Sequence, residues 1–141
     1  MPDVTFVSLQ KGQGEEDAEQ APPGQPIVHL GSAIGDFADT VAIVAQLDLL
    51  IAVDTAAAHV AGALGKPCWL MLPRDWTDWR WLTERDDSAW YPGTMRLFRQ
   101  SDARDWTEVA ARMADALRGW RTRCADGLAP ARAGGVTYRL T

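Results

Sequence analysis

Short apolar runs alternate with longer amphipathic stretches along this chain, and the alternation predicts its secondary structure. Runs rich in β-branched, aromatic or aliphatic residues are typical of strands and occupy residues 4–9, 27–30, 49–53, 68–72 and 95–99. The runs 49–53 and 68–72 are apolar throughout, as expected of strands that are covered on both faces.

The spacing of apolar residues between these runs predicts helices over 37–47 and 55–64, and a third that begins at Trp106. Asp36 is expected to cap the first of them, and Asp105 with Glu108 resembles a capping box. Strands that alternate with helices through short turns indicate an α/β fold with a doubly wound, mostly parallel, Rossmann-like sheet. Such sheets bind ligands beyond the carboxyl ends of their strands.

The length of 141 residues suits one hydrophobic core, and we predict a single domain over residues 1–122. Within it, residues 11–26 are acidic and contain prolines, which predicts an exposed loop. Residues 123–141 show little periodicity, which predicts a poorly ordered tail.

Composition and charge argue against several classes of protein. With 14 basic and 19 acidic residues the net charge is −5, which disfavours a broad nucleic-acid surface. No apolar run approaches the roughly 20 residues that cross a bilayer, and the start of the chain does not resemble a signal peptide. Cys68 and Cys124 are far apart and lack metal-site spacing, so we expect reduced thiols, no metal and a cytoplasmic protein.

The segment from Val53 to His59 is the strongest candidate for chemistry. A buried strand there runs into a helix whose first turn contains the small residues Ala56 and Ala57. Free N–H groups at a helix start, together with the helix dipole, form an anion site, and the Thr55 hydroxyl and His59 lie on the same face. The alternative interpretation is that Asp54 is only a helix cap and His59 only a core residue.

Basic and aromatic residues elsewhere are compatible with an anionic ligand. Lys11 follows the end of the first strand, where it is either a counter-charge for a diphosphate or a solvated loop residue. Arg80 lies in a tryptophan-rich segment with local positive charge. Trp79 and Trp81 either stack on a sugar or base, pack against another domain, or cover the edge of the sheet. No catalytic triad, paired carboxylates or metal cluster is evident from the sequence.

The combination of these segments resembles a known family. The residues 36–40, 47–67, 78–82, 87–92 and 95–100 together resemble the donor-binding half of glycosyltransferase family 9. More closely, they are similar to the glycosyltransferase domain that follows tetratricopeptide repeats in many bacterial proteins. The resemblance extends from residue 4 to about residue 120.

The resemblance implies the C-terminal, nucleotide-sugar-binding domain of a two-domain GT-B enzyme. In related heptosyltransferases an Asp-Thr-Gly-x-x-His turn contacts the donor, which marks Asp54, Thr55, Ala56 and His59, with Ala56 in place of the glycine. It also implies that Lys11 binds phosphate, and that transfer is inverting and uses no metal or cofactor besides the donor. We further expect Asp36 to contact the sugar, the base or another domain.

The family's acceptor domain, which supplies the catalytic base, has no counterpart in these residues. We therefore expect the isolated chain to be inactive. It is either a piece of a longer protein, with an N-terminal acceptor domain and tetratricopeptide repeats, or a stand-alone relic of such a protein. One alternative is a non-catalytic protein-interaction module that docks through its tryptophan-rich rim. Another is a nucleotide-binding regulatory domain unrelated to sugar transfer. The nucleotide, the sugar, the acceptor and the oligomeric state are not encoded in a readable motif.

Overall fold

A computed structural model describes residues 4–20, 22–102 and 104–126 of the chain. It contains every strand and helix that the sequence predicts, with bounds that differ by one or two residues in most cases. The strands are β1 (Phe6–Ser8), β2 (Ile27–His29), β3 (Leu50–Val53), β4 (Cys68–Leu72) and β5 (Met95–Arg99). The helices are α1 (Glu15–Glu19), α2 (Phe37–Gln46), α3 (Ala56–Ala63) and α4 (Trp106–Ala125).

The described strands form two parallel sheets, so the prediction of an α/β fold with parallel pairing is confirmed. β1 pairs with β2, and β3, β4 and β5 form a three-stranded sheet in that order. In the larger sheet Val53 lies beside Met71, and Leu72 lies beside Arg99. Because the three strands are parallel, their carboxyl ends meet at one edge, which brings the turns after Val53, Leu72 and Arg99 together.

The contacts of the chain cluster in two compact units, one up to Ile43 and one from Val44. In the first unit α1 lies within the segment predicted as an exposed loop, 11–26. Three acidic residues in its first turn favour this helix through the dipole. Glu15 contacts His29 of β2 at 3.0 Å, and this hydrogen bond lowers the pKa of Glu15.

The second unit has its core between α4 and one face of the three-stranded sheet. Apolar residues of α4 recur at helical spacing and pack on Trp69, Met71 and Phe98; they are Val109, Met113, Ala116, Leu117 and Trp120. The alternate residues Cys68 and Leu70 face the opposite way and are fully buried. α3 contacts both β3 and β4.

The remaining expectations concern thiols, membrane spans and the tail. Both cysteines are free, and burial raises the pKa of the Cys68 thiol to about 12. Among the described residues, no helix is both long enough and apolar enough to cross a bilayer. The predicted tail begins inside α4, which continues to Ala125, and residues 127–141 lie outside the described residues.

Candidate ligand-binding site

The start of α3 is open. Thr55 occupies the N-cap position with extended backbone, φ −140° and ψ 167°, and its hydroxyl makes no capping hydrogen bond. Thr55 and Ala56 are exposed and Ala57 is half-buried. The N–H of Ala58 donates to the Thr55 carbonyl, whereas no described residue accepts a hydrogen bond from the N–H of Ala56 or Ala57. Two amide donors are therefore available to a ligand at this turn.

Asp54 does not cap α3, so the interpretation of this residue as a helix cap is wrong. It lies one residue before the N-cap, and its carboxylate approaches the imidazole of His59, with Oδ1 3.8 Å from Nε2. This one-residue difference matters because a carboxylate at the N-cap position would accept hydrogen bonds from the amide N–H groups that are free here.

His59 lies beside the open turn and is accessible, which contradicts its interpretation as only a core residue. Its side chain is 35% exposed. The ring stacks on Trp81, with centroids 5.3 Å apart and planes inclined by 26°. Its Nδ1 lies 3.0 Å from the hydroxyl oxygen of Tyr91. The imidazole is thus fixed on one side and exposed on the other.

Tyr91 reaches His59 because Gly62 has no side chain. A Cβ on Gly62 would lie 2.5 Å from two carbon atoms of the Tyr91 ring, so the ring packs directly on the α3 backbone. The buried hydroxyl of Ser88 accepts hydrogen bonds from the N–H groups of Trp90 and Tyr91, at 3.2 Å each, and holds the turn. Sequence reasoning missed these residues. The available signal was a glycine inside an alanine-rich helix. Such a glycine destabilises the helix by about 1 kcal/mol relative to alanine, which suggests that close packing requires it.

Arg80 is engaged within its own turn, a short 3₁₀ segment at Trp79–Trp81. The carboxylate of Asp78 accepts from the Arg80 N–H at 2.9 Å and from its guanidinium at 2.6 Å. The hydrogen bond from the Arg80 N–H, followed by the charge of Arg80, lowers the pKa of Asp78. The guanidinium also lies 5.4 Å from the centre of the Trp79 ring. The structure therefore places Arg80 in a pair rather than as an unpaired cation.

The predicted tryptophan pair divides between two environments. Trp81 is 1% exposed and supports His59, whereas Trp79 is 67% exposed. Trp79 meets Trp90 edge to face, with centroids 5.6 Å apart. An open groove of about 780 Å³ runs along Trp79, Leu82 and Arg85. One indole thus belongs to the interior and the other to the surface.

Arg99 at the end of β5 attaches this turn to the sheet. Its guanidinium donates to the carbonyl oxygens of Trp81 and Leu82 and, at 3.2 Å, to the hydroxyl of Thr77. Partial burial lowers the pKa of Arg99. Trp81, and with it the ring of His59, is held in place by this contact, which the sequence analysis did not anticipate.

A second opening lies beside Asp54, at the carboxyl ends of β3 and β4. It is a cavity of about 270 Å³, and its lining includes Asp54, Thr77, Trp76 and Trp106. Trp76 is fully exposed and Trp106 is 42% exposed. Asp54 therefore borders both this cavity and His59.

The two remaining predicted site residues belong to the first unit. The Lys11 ammonium donates to the carbonyl oxygen of Ile34. Asp36 caps α2 as predicted, since its Oδ1 accepts from the N–H groups of Ala38 and Asp39 at 2.8 and 3.1 Å. Both side chains thus have partners within their own unit. Within residues 4–20, 22–102 and 104–126, no three histidine, cysteine or acidic side chains are grouped as metal ligands would be.

The chain is similar to part of a longer bacterial protein. Protein FlbA of Caulobacter vibrioides is 33% identical in an alignment that covers 83% of this chain and 20% of FlbA. The chain thus spans about a fifth of the length of this relative. No family model matches the chain, and no solved structure matches it.

Proposed function

We propose that this chain is the nucleotide-sugar-binding domain of an inverting GT-B glycosyltransferase, and that its sheet is of the doubly wound Rossmann-like type. One observation carries the proposal: the uncapped start of α3, with Thr55 and Ala56 exposed and His59 beside it, follows a strand of a parallel sheet. Ligands of such sheets bind at this edge. The resemblance of residues 47–67 to a family that binds donors at the same turn agrees with this placement.

The diphosphate of the donor binds at the α3 turn. The N–H groups of Ala56 and Ala57 and the hydroxyl of Thr55 donate to its oxygens, and the helix dipole favours its charge. His59 adds a hydrogen bond from its exposed side. Transfer of the sugar leaves a nucleoside diphosphate with an additional negative charge, and these preorganised donors stabilise that charge in the transition state.

The sugar occupies the cavity next to Asp54. Because the Asp54 carboxylate is not used as a helix cap, it is available to accept hydrogen bonds from sugar hydroxyls. Trp76 and Trp106 offer apolar faces on which a sugar ring packs. Ala56, in place of the family's glycine, is exposed, and its methyl group is small enough to be compatible with a ligand at this turn.

The acceptor domain and its catalytic base belong to the longer protein of which this domain is a part. The alignment with only 20% of FlbA is compatible with such an arrangement. The domain acts in the cytoplasm, needs no metal or further cofactor, and is inactive without the acceptor domain.

Titration of the full chain with UDP-, GDP- and ADP-sugars tests the proposal, with amide chemical shifts and tryptophan fluorescence as readouts. We expect shifts confined to residues 54–59 and their neighbours. His59→Asn should weaken binding, whereas His29→Asn is the matched control and should bind as the wild type does. Absence of any response at residues 55–59 with millimolar nucleotide would contradict the proposal.

A second candidate is a protein-interaction module that retains the fold without the activity. The exposed pair of Trp79 and Trp90, of which Trp79 lines the open groove, favours it. The same titration separates the two candidates, because a pure interaction module leaves the amides of the α3 turn unchanged by every nucleotide.

A further inference from the structure

The two ring nitrogens of His59 have different partners. Nδ1 lies 3.0 Å from the Tyr91 hydroxyl, and Nε2 lies 3.8 Å from the Asp54 carboxylate. A neutral imidazole carries one hydrogen, and its position decides which nitrogen donates and which accepts. The partners therefore determine what His59 offers to a ligand.

The Asp54 carboxylate favours the hydrogen on Nε2. When ionised, a carboxylate only accepts hydrogen bonds, so its proximity stabilises an N–H on the facing nitrogen. Nδ1 then presents a lone pair, and the Tyr91 hydroxyl donates to it. The other tautomer would place the Nε2 lone pair towards a negative charge. At 3.8 Å the carboxylate is beyond hydrogen-bond distance of Nε2, so the Nε2 hydrogen remains available to a ligand.

Tyr91 is held too firmly to be an incidental neighbour. Its ring packs on the backbone at Gly62, and Ser88 accepts a hydrogen bond from its N–H. Trp81 stacks on the imidazole from a second direction and limits rotation of the ring. The hydroxyl of Tyr91 and the ring of His59 thus meet in one defined geometry.

We infer that Tyr91 is a positioning residue that holds His59 in the Nε2–H tautomer and directs this hydrogen towards the open start of α3. The identity of the acceptor, a diphosphate oxygen of the donor, rests on the proposed function. Tyr91 does not itself contact the ligand; it acts through His59.

Long-range ¹H–¹⁵N spectra of the imidazoles test the inference in the full chain at pH 8, where neutral histidine predominates. The chain has 2 histidines, so His29 serves as an internal reference. In the wild type we expect the Nε2–H pattern for His59. Tyr91→Phe preserves the ring on Gly62 and removes the hydroxyl, so His59 should shift to a mixture of tautomers while His29 is unchanged.

Affinity for inorganic pyrophosphate provides the second readout. We expect Tyr91→Phe to weaken it about twofold, since only about half of the molecules then carry the hydrogen on Nε2. Tyr138→Phe, at a residue outside the described part of the chain, is the matched control. A purely structural role for Tyr91 would lower the thermal midpoint without changing the tautomer.

The Nδ1–H form in the wild type, or an unchanged tautomer in Tyr91→Phe, would overturn the inference. The tautomer is measured without any ligand, so the two proposals fail separately. If the expected tautomers are found in both proteins, the inference stands. Failure of that same wild type to bind pyrophosphate or nucleotide then overturns the proposed function.

Discussion

The starts of α2 and α3 use an aspartate in opposite ways. At α2 the Asp36 carboxylate accepts from two backbone N–H groups, and Asp39 accepts in return from the N–H groups of Gly35 and Asp36. At α3 the Asp54 carboxylate lies beside His59 and accepts from no backbone N–H of the helix. The first helix start is closed by side chains, and the second is open.

A shift of one residue accounts for the difference. Asp36 stands directly before its helix, as does Asp105, whose side chain accepts from the N–H of Thr107. Asp54 stands one residue earlier, and Thr55 takes the N-cap position without using its hydroxyl. An anion site at a helix start therefore depends on which side chains are absent from the cap as much as on the helix dipole.

Substitution of each aspartate by alanine should show the largest difference between the two helix starts. Asp36→Ala removes a cap and should lower the free energy of unfolding by about 1 kcal/mol. Asp54→Ala should lower it less, because no backbone N–H of α3 loses a partner. Urea denaturation of both variants measures the difference. Equal losses would show that Asp54 stabilises α3 as a cap does.

Thr55→Asp should give α3 the closed start that α2 already has. The new carboxylate accepts hydrogen bonds from the free amide N–H groups, so the free energy of unfolding should rise by about 0.5 kcal/mol. Pyrophosphate should then no longer shift the amides of residues 55–59. Thr107→Asp adds the same charge to the first turn of α4 and is the matched control. Undiminished anion binding by Thr55→Asp would contradict an open amide site.

Low pH should destabilise the turn at Trp79–Trp81, which Asp78 caps. We expect this effect on stability to be smaller than those of the substitutions above. The pKa of Asp78 is lowered below its ordinary 3.8 by the hydrogen bond from the Arg80 N–H. Asp78 therefore stabilises the fold above pH 3.8, and this contribution is lost as the pH falls through its lowered pKa. Carboxyl ¹³C titration should show Asp78 below the ordinary value. An unshifted titration would indicate that the turn at Trp79–Trp81 is not capped.

The tryptophan segment shows how far local sequence carries the site. The tryptophans and arginines of this segment indicated a cluster of indole and guanidinium groups near the carboxyl edge of the sheet. It did not separate Trp81, which is buried under His59, from Trp79, which is exposed two residues earlier. That division depends on Arg99, which holds the turn from the end of β5. Arg99 and Trp81 are 18 residues apart, so no local sequence pattern predicts their contact.

The sequence by itself determined the strands, the helices α2, α3 and α4, and the small residues at the start of α3, because periodicity and capping are local properties. Their alternation along the chain indicated the parallel pairing, whereas α1 lies in a segment predicted as a loop. Only the tertiary structure decided that this start is open, that Asp54 faces His59, and that Tyr91 reaches its ring across 32 residues. Those contacts depend on how separate elements pack against each other. The reason for a glycine at position 62 is evident only in the structure, where the Tyr91 ring packs against its backbone.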